Sequence, residues 1–420
     1  MTVDIPSHLP ARLTISLWDF SWFTQTMPGE PFEDLDRAFA EAVERGYNTV
    51  RICAMPYTLF GGDIPPEPLR IANLGRGFGK GTRWYNNAGG ALIDGRAHLL
   101  ELFRAAERHG CHLIVSSWEY QQTPSFFATP AQYEALVAIP PARRCAALAE
   151  SMSALLDFVK DNGLADRIAY VELHNEVDNA GTSLTEVAAE GESVVAAQRA
   201  LIESAVDLLR KRHPDLLHTA CYSEPALHRL DDLAGNLQVA HFHIYAYGVL
   251  RQLFDEAGLW SDAEFPTPLV TRLLRSDAPA YDDWLPDEEW RLAATGVQRR
   301  LVYTHDWTDP VKWDLYLYEH YHRYRESMRE MIRSRLEAYA DFGARLGAPA
   351  VIGEGYVGYT PLHTTFEEGP VGKDICEFAV LEAKRLGYWG TILCSNAAPH
   401  HPFWADVAWQ REVNSWITDV

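Results

Sequence analysis

Eight short apolar runs, separated by stretches with helical spacing, leave this chain few folds to choose from. They cover residues 11–18, 48–54, 111–118, 167–176, 217–223, 237–245, 350–354 and 388–395. A strand buried on both faces reads as a near-continuous apolar run, and strict alternation of such strands with helices builds a parallel sheet. Between the first two runs, Leu35, Phe39 and Val43 recur at helical spacing until Gly46 stops them. Residues 95–109, 142–162, 192–213, 316–347, 374–386 and 406–418 also read as helices. Only a short helix, around 227–233, fits between the fifth and sixth runs. Eight such units predict an α/β fold of the (β/α)8 TIM-barrel type, formed by residues 1–420 as one domain.

Two stretches break the rhythm. Residues 56–94 form a long Gly- and Pro-containing loop, a length that in a compact domain usually serves function. Residues 247–315 are acidic and carry Trp260, Trp284, Trp290, Trp307 and Trp313. They are expected to form a long insertion after the sixth strand, over the barrel mouth. About half of these indoles should enter a core and half should remain available to a ligand.

Composition narrows the function. A net charge of −21 argues against nucleic acid and anionic membrane surfaces, both of which require a basic face. No apolar run approaches the roughly 18 residues of a membrane helix. The first residues lack the basic start and apolar stretch of a secretion signal, so a cytoplasmic location is expected. The six cysteines are scattered without metal-type spacing and read as free thiols. No phosphate-binding glycine motif is present, and neither an organic cofactor nor a metal is expected. Oligomeric state is not legible.

Unusual polar residues collect where these runs end. Asn175 and Glu176 close the fourth, His243 and Tyr245 the sixth, and Glu354 the seventh, while Arg51 interrupts the second. In a parallel barrel the carboxyl ends of the strands form the floor of the active site. Two facing glutamates suit glycosidic bond cleavage, in which one carboxyl stays protonated as an acid and the other ionised as a nucleophile or base. Arg51 beside one of them would hold it ionised. Asn175 could bind a sugar hydroxyl, and Tyr245 could donate to the nucleophile. Trp18 and Trp118 are candidate stacking surfaces for a sugar.

The chain resembles the clan A glycoside hydrolases, in particular the cellulase-like family 5 group. The likeness rests on Val50-Arg51-Ile52, His174-Asn175-Glu176, His243-Ile244-Tyr245 and Ile352-Gly353-Glu354. It implies that Glu176 is the acid/base, Glu354 the nucleophile of a retaining mechanism with a covalent glycosyl-enzyme intermediate, and Arg51 and Tyr245 the nucleophile's supports. His243 would line the sugar site. The sugars would be β-linked, and a cytoplasmic location favours a small oligosaccharide or glycoside as the substrate. The chain departs from the group in carrying Val177 where a proline usually follows Asn-Glu. Its eighth strand also ends in Cys394-Ser395-Asn396, where a tryptophan is usual. Two other readings are available. A barrel that binds carbohydrate without cleaving it would tolerate the missing tryptophan. A metal-dependent hydrolase could draw on His241, His243, His174 and Glu176, although Arg51 would be a poor neighbour for a cation.

Overall fold

The computed structural model describes residues 2–62, 68–75, 77–261 and 264–419. Residues 63–67 and 76 of the long loop, and 262–263 of the expected insertion, lie outside these. The barrel strands are β1 (Leu13–Asp19), β2 (Thr49–Cys53), β3 (His112–Ser116), β4 (Ile168–Glu172), β5 (His218–Thr219), β6 (Cys221–Tyr222), β7 (Ala240–Tyr245), β8 (Ala350–Tyr356) and β9 (Gly390–Ile392). They form one parallel sheet in the order β5-β4-β3-β2-β1-β9-β8-β7-β6. The expected fifth strand is broken at Ala220 into β5, which pairs with β4, and β6, which pairs with β7. One residue therefore joins the two ends of the sheet, and the (β/α)8 barrel closes there.

Helices α1 (Leu35–Glu44), α2 (Gly95–Arg108), α3 (Pro141–Asp161), α4 (Val194–Arg212), α5 (Arg325–Leu346), α6 (Pro370–Arg385) and α7 (Val407–Thr418) follow the strands. Asp34 and Asp94 accept backbone N–H groups at the starts of α1 and α2, as N-cap residues do. A 3₁₀ turn, Leu227–Asp232, stands where only a short helix fits. The helical stretch expected over 316–347 is two helices, Pro310–Tyr321 and α5, with a break at 322–324.

Burial divides into two apolar layers. Val50, Ile52, Leu113, Val115, Val171, Phe242 and Ile352 point outward and pack against the helices. Leu13, Ile15, Ile114, Tyr170, Val239, Val351 and Trp389 fill the bottom of the barrel as a separate cluster. Inward positions nearer the mouth are polar, and the site begins there.

Two of the boundaries that differ from the expectation bear on the site. β4 ends at Glu172, so Asn175 and Glu176 stand beyond it in a turn. Glu354 lies within β8, which runs on to Tyr356. Of the five insertion tryptophans, Trp313 is fully buried and Trp284 stacks on Phe78 at 3.5 Å. Arg291 lies over Trp290 and Arg275 over Trp307, which leaves Trp260 as the one that lines the main cavity.

Candidate active site

Arg51 organises the barrel mouth. β2 carries it in register with Leu17 of β1 and Ile114 of β3, and its side chain is wholly buried. Nε and Nη2 donate to Glu172 Oε2 and Oε1 at 3.0 and 2.6 Å. Nη2 also donates to Asn175 Oδ1 at 2.7 Å, and Nη1 to Glu354 Oε1 at 2.8 Å. The guanidinium lies over the Trp118 ring, 4.5 Å from its centre, a favourable cation–π placement. A buried cation thus spans two carboxylates and holds both by charge-assisted bonds.

Glu172, which sequence reasoning passed over, is the deeper of the two. Ser116 Oγ donates to it at 2.7 Å, and His241 Nδ1 lies 3.1 Å from its other oxygen. Burial alone would raise its carboxyl, but Arg51 and His241 overcome that and hold it well below the usual range. It is a permanent anion that fixes Arg51.

Glu354 is held by Arg51 on Oε1 and by the Tyr245 hydroxyl on Oε2 at 2.7 Å. Burial pushes its carboxyl up, opposed by His243, Arg51 and the Tyr245 hydrogen bond. Glu176 is treated differently. It accepts from Gln121 Nε2 at 3.2 Å and Asn179 Nδ2 at 2.8 Å, and its other oxygen lies 2.9 Å from His243 Nδ1. Burial dominates and raises it to about 7 despite Gln121 and Arg51. Its φ of 44° falls in the left-handed region that a non-glycine residue enters only under constraint.

His243 bridges the two glutamates: Nδ1 is 2.9 Å from Glu176 and 3.6 Å from Glu354, and Nε2 is 3.1 Å from Cys221 Sγ. Burial lowers its pKa to about 3 and raises the Cys221 thiol, so a neutral ring carries its proton on Nδ1 and accepts from the S–H. One oxygen of each glutamate and a ring nitrogen of His243 all lie within 4.8 Å of one another.

Arg51, Asn175, Glu176, His243, Tyr245 and Glu354 therefore converge, with Trp118 beneath the guanidinium. The Asn175 amide is already committed, accepting from Arg51 and donating to Gln121 Oε1 at 2.8 Å. Trp18 does not belong to the group. It points away from the barrel axis and packs on Phe32 and Phe39 at 5.1 and 4.5 Å, while its neighbours Leu17 and Asp19 face inward. His174 is also unavailable as a ligand: Nδ1 is 2.6 Å from the Asn175 carbonyl and Nε2 accepts from Tyr120 N–H. His174 therefore drops out of the ligand set of the metal-hydrolase reading, whereas Glu176, His243 and Glu354, and likewise Cys221, His241 and His243, lie close enough to share an ion, with Arg51 beside Glu354 as a poor neighbour for one. The six cysteines are free and buried.

Two cavities meet at Glu176. The wide one, about 580 Å³, is lined by Glu176, Asp178, Glu224, Tyr247, Trp260 and residues 295–298. The narrow one, about 50 Å³, holds Glu354 together with Tyr245, Asn175, Trp118 and Ser395. Trp84, Gln121, Gln122 and Tyr359 border both. Trp84 comes from the long loop, whose Gly79 and Gly81 N–H groups donate to Asp306 at 2.6 Å each. Sequence reasoning marked that loop by its length but not Trp84 itself. Gln121, Tyr247 and Tyr359 carried no signal beyond their nearness to strand ends. Among the described residues, no helix is long and apolar enough to cross a membrane.

A family model described as sugar-binding cellulase-like matches residues 15–418. No curated protein sequence matches the chain. Among solved structures, a candidate glycoside hydrolase from Parabacteroides distasonis ATCC 8503 superposes with a TM-score of 0.70 at 18% identity, covering 97% of this chain and 94% of that one. A family 5 mannosidase from Rhizomucor miehei gives 0.51 at 12% identity, covering 100% and 98%. Subunit Z of the clostridial cellulose synthase from Clostridioides difficile gives 0.50 at 11%, covering 97% and 99%. At such identities the likeness is one of fold.

Proposed function

The chain belongs to the sugar-binding cellulase-like family, and from that premise we propose that it is a retaining glycoside hydrolase acting on a small β-linked oligosaccharide or glycoside. One observation carries the reading: two buried glutamates whose oxygens approach within 4.8 Å in unlike electrostatic settings. Carboxyls about 5–5.5 Å apart suit direct attack, whereas inverting enzymes keep roughly 6.5–9.5 Å for a water between them. Pairs of carboxyls pushed apart in pKa divide into acid and nucleophile.

Glu354 is the nucleophile. Arg51 favours its ionised form and Tyr245 fixes its second oxygen, leaving one lone pair for the anomeric carbon. Glu176, raised to about 7, delivers a proton to the departing oxygen and then takes one from the water that releases the sugar. His243 donates toward both glutamates and screens their mutual repulsion while staying neutral itself. A panel of p-nitrophenyl β-glycosides tests the reading. Turnover of at least one, with the first-formed product retaining the β configuration by NMR, is expected. An α product would remove the nucleophile role from Glu354.

The family's description favours a second reading, a barrel that binds sugar without cleaving it. So does the end of β9, where Ser395 and Asn396 stand in place of a stacking tryptophan. That reading requires sugar affinity unchanged in Glu354→Gln and no turnover by the wild type.

A further inference from the structure

We propose that the enzyme acts from the chain end, holding a single terminal sugar in the narrow cavity and the rest of the substrate, as leaving group, in the wide one. The inference rests on the hydrolase reading above and adds direction to it. In a retaining displacement the attacked sugar lies on the nucleophile's side and the leaving group on the acid's side. Glu354 borders only the narrow cavity, whereas Glu176 borders both. The polarity of the cleft follows: sugar donor toward Glu354, leaving group toward Trp260.

The narrow end does not continue. Leu17, Asp19, Phe20, Asn396 and His401 wall it off, and every one of them is less than 9% exposed. Phe20 is backed by Phe126 and Tyr85 at ring distances of 5.0 and 6.4 Å, which closes the direction in which a longer chain would run. At about 50 Å³, the space holds a few waters by the measure in which one water needs roughly 10–15 Å³. One ring seated against Glu354 displaces them and shares the boundary with the wide cavity; a second ring has nowhere to go. The wide side is different in kind. About 580 Å³ extends past Tyr247 to Trp260, which is 40% exposed at its lip.

The wall is also built to read hydroxyls. His401 Nδ1 is buried with no protein partner, a position in which a native structure normally finds a ligand or water. Asp19, at the end of β1 with φ at 40°, is a second constrained non-glycine residue at this mouth; its Oδ1 accepts from the Ser21 N–H at 2.5 Å and its Oδ2 lies 3.5 Å from His400 Nε2. Burial keeps the His401 ring neutral, so the nitrogen that meets a sugar hydroxyl donates or accepts according to the tautomer.

Intact-protein mass spectrometry with activated 2-deoxy-2-fluoro-β-glycosides tests the proposal. In the trapping step a Glu354 oxygen bonds to the anomeric carbon as the bond to dinitrophenolate breaks, and that group leaves with the electron pair. One reagent set carries a single glucose, mannose, galactose or xylose; the other carries the β-1,4-linked disaccharide of each. A monosaccharide reagent is expected to add one sugar to the peptide containing Glu354 at least about 100-fold faster than any disaccharide reagent, and Glu354→Gln should not react. Comparable labelling by a disaccharide reagent would overturn chain-end action and leave the hydrolase reading in place. Failure of both sets, together with no turnover of aryl glycosides, would remove the hydrolase reading and this inference with it.

Discussion

Replacing Arg51 by glutamine should cost more stability at pH 8 than at pH 5, and the structure sets the scale. The substitution removes two hydrogen bonds to Glu172, one to Glu354 and one to Asn175, all made by a guanidinium that is wholly buried. Deleting one member of a buried ion pair typically costs about 3–5 kcal/mol, because the remaining charge is stranded. Glu172 keeps Ser116 and His241 as partners, which places the expected loss nearer ~3 kcal/mol at neutral pH. In the wild type the depressed Glu172 carboxyl contributes stability that is fully present above the unfolded value of about 4.3 and lost as pH falls toward the folded pKa. Without Arg51, burial takes over and lifts that carboxyl above its unfolded value. The variant's folded state then binds the extra proton, and its stability falls as pH rises from about 4.3 through the new folded pKa. Urea denaturation followed by tryptophan fluorescence at pH 5 and pH 8 measures both terms. A loss below about 1 kcal/mol that does not change with pH would show that Arg51 is not the partner of a desolvated Glu172.

Glu354→Gln should lower kcat by on the order of 10⁴-fold or more while leaving the melting temperature near that of the wild type; stopped assays and calorimetry on the same preparation check both. Activity that depends on protonated Glu176 should fall as pH rises through about 7, visible as the basic limb of kcat/KM. Gln121→Met, which removes a donor favouring the charged form of Glu176, should move that limb to higher pH. Asp306→Ala frees the loop that carries Trp84 and should raise KM more than it lowers kcat, read from initial rates on the best aryl glycoside.

Much of the site was legible because its residues stand out from the strands that carry them. A charged Arg51 inside a β-branched run, a carboxylate closing an apolar run at Glu354, and His243 with Tyr245 on one strand face all conflict with burial unless they meet one another. Trp18 shows where such reading fails. The alternation Leu13-Thr14-Ile15-Ser16-Leu17 puts Trp18 on one face with Thr14 and Ser16, but all of β1 is buried, so polarity does not mark which face meets the axis. A shift of one residue exchanges inside for outside, and the true register sends Leu17 and Asp19 inward and Trp18 to the helix layer. Glu172 was missed for a related reason. It is the last residue of β4, within the apolar run rather than at its end, and only the placement of β2 across β3 from β4 shows that Arg51 is its counter-ion.

By itself the sequence determined the eight-fold alternation of strand and helix, because local periodicity and glycine stops are properties of short segments. It also determined that two glutamates belong at the same barrel mouth. Tertiary structure alone decided which residues complete the site. Gln121, Tyr247, Trp84, Tyr359 and His401 come from separate loops, and no local pattern records that loops distant in the chain converge. Their packing divides one cleft into a narrow and a wide side. It also shifts chemically identical carboxyls in opposite directions, Glu172 downward and Glu176 up to about 7, since a pKa depends on what surrounds a group rather than on the residue that bears it.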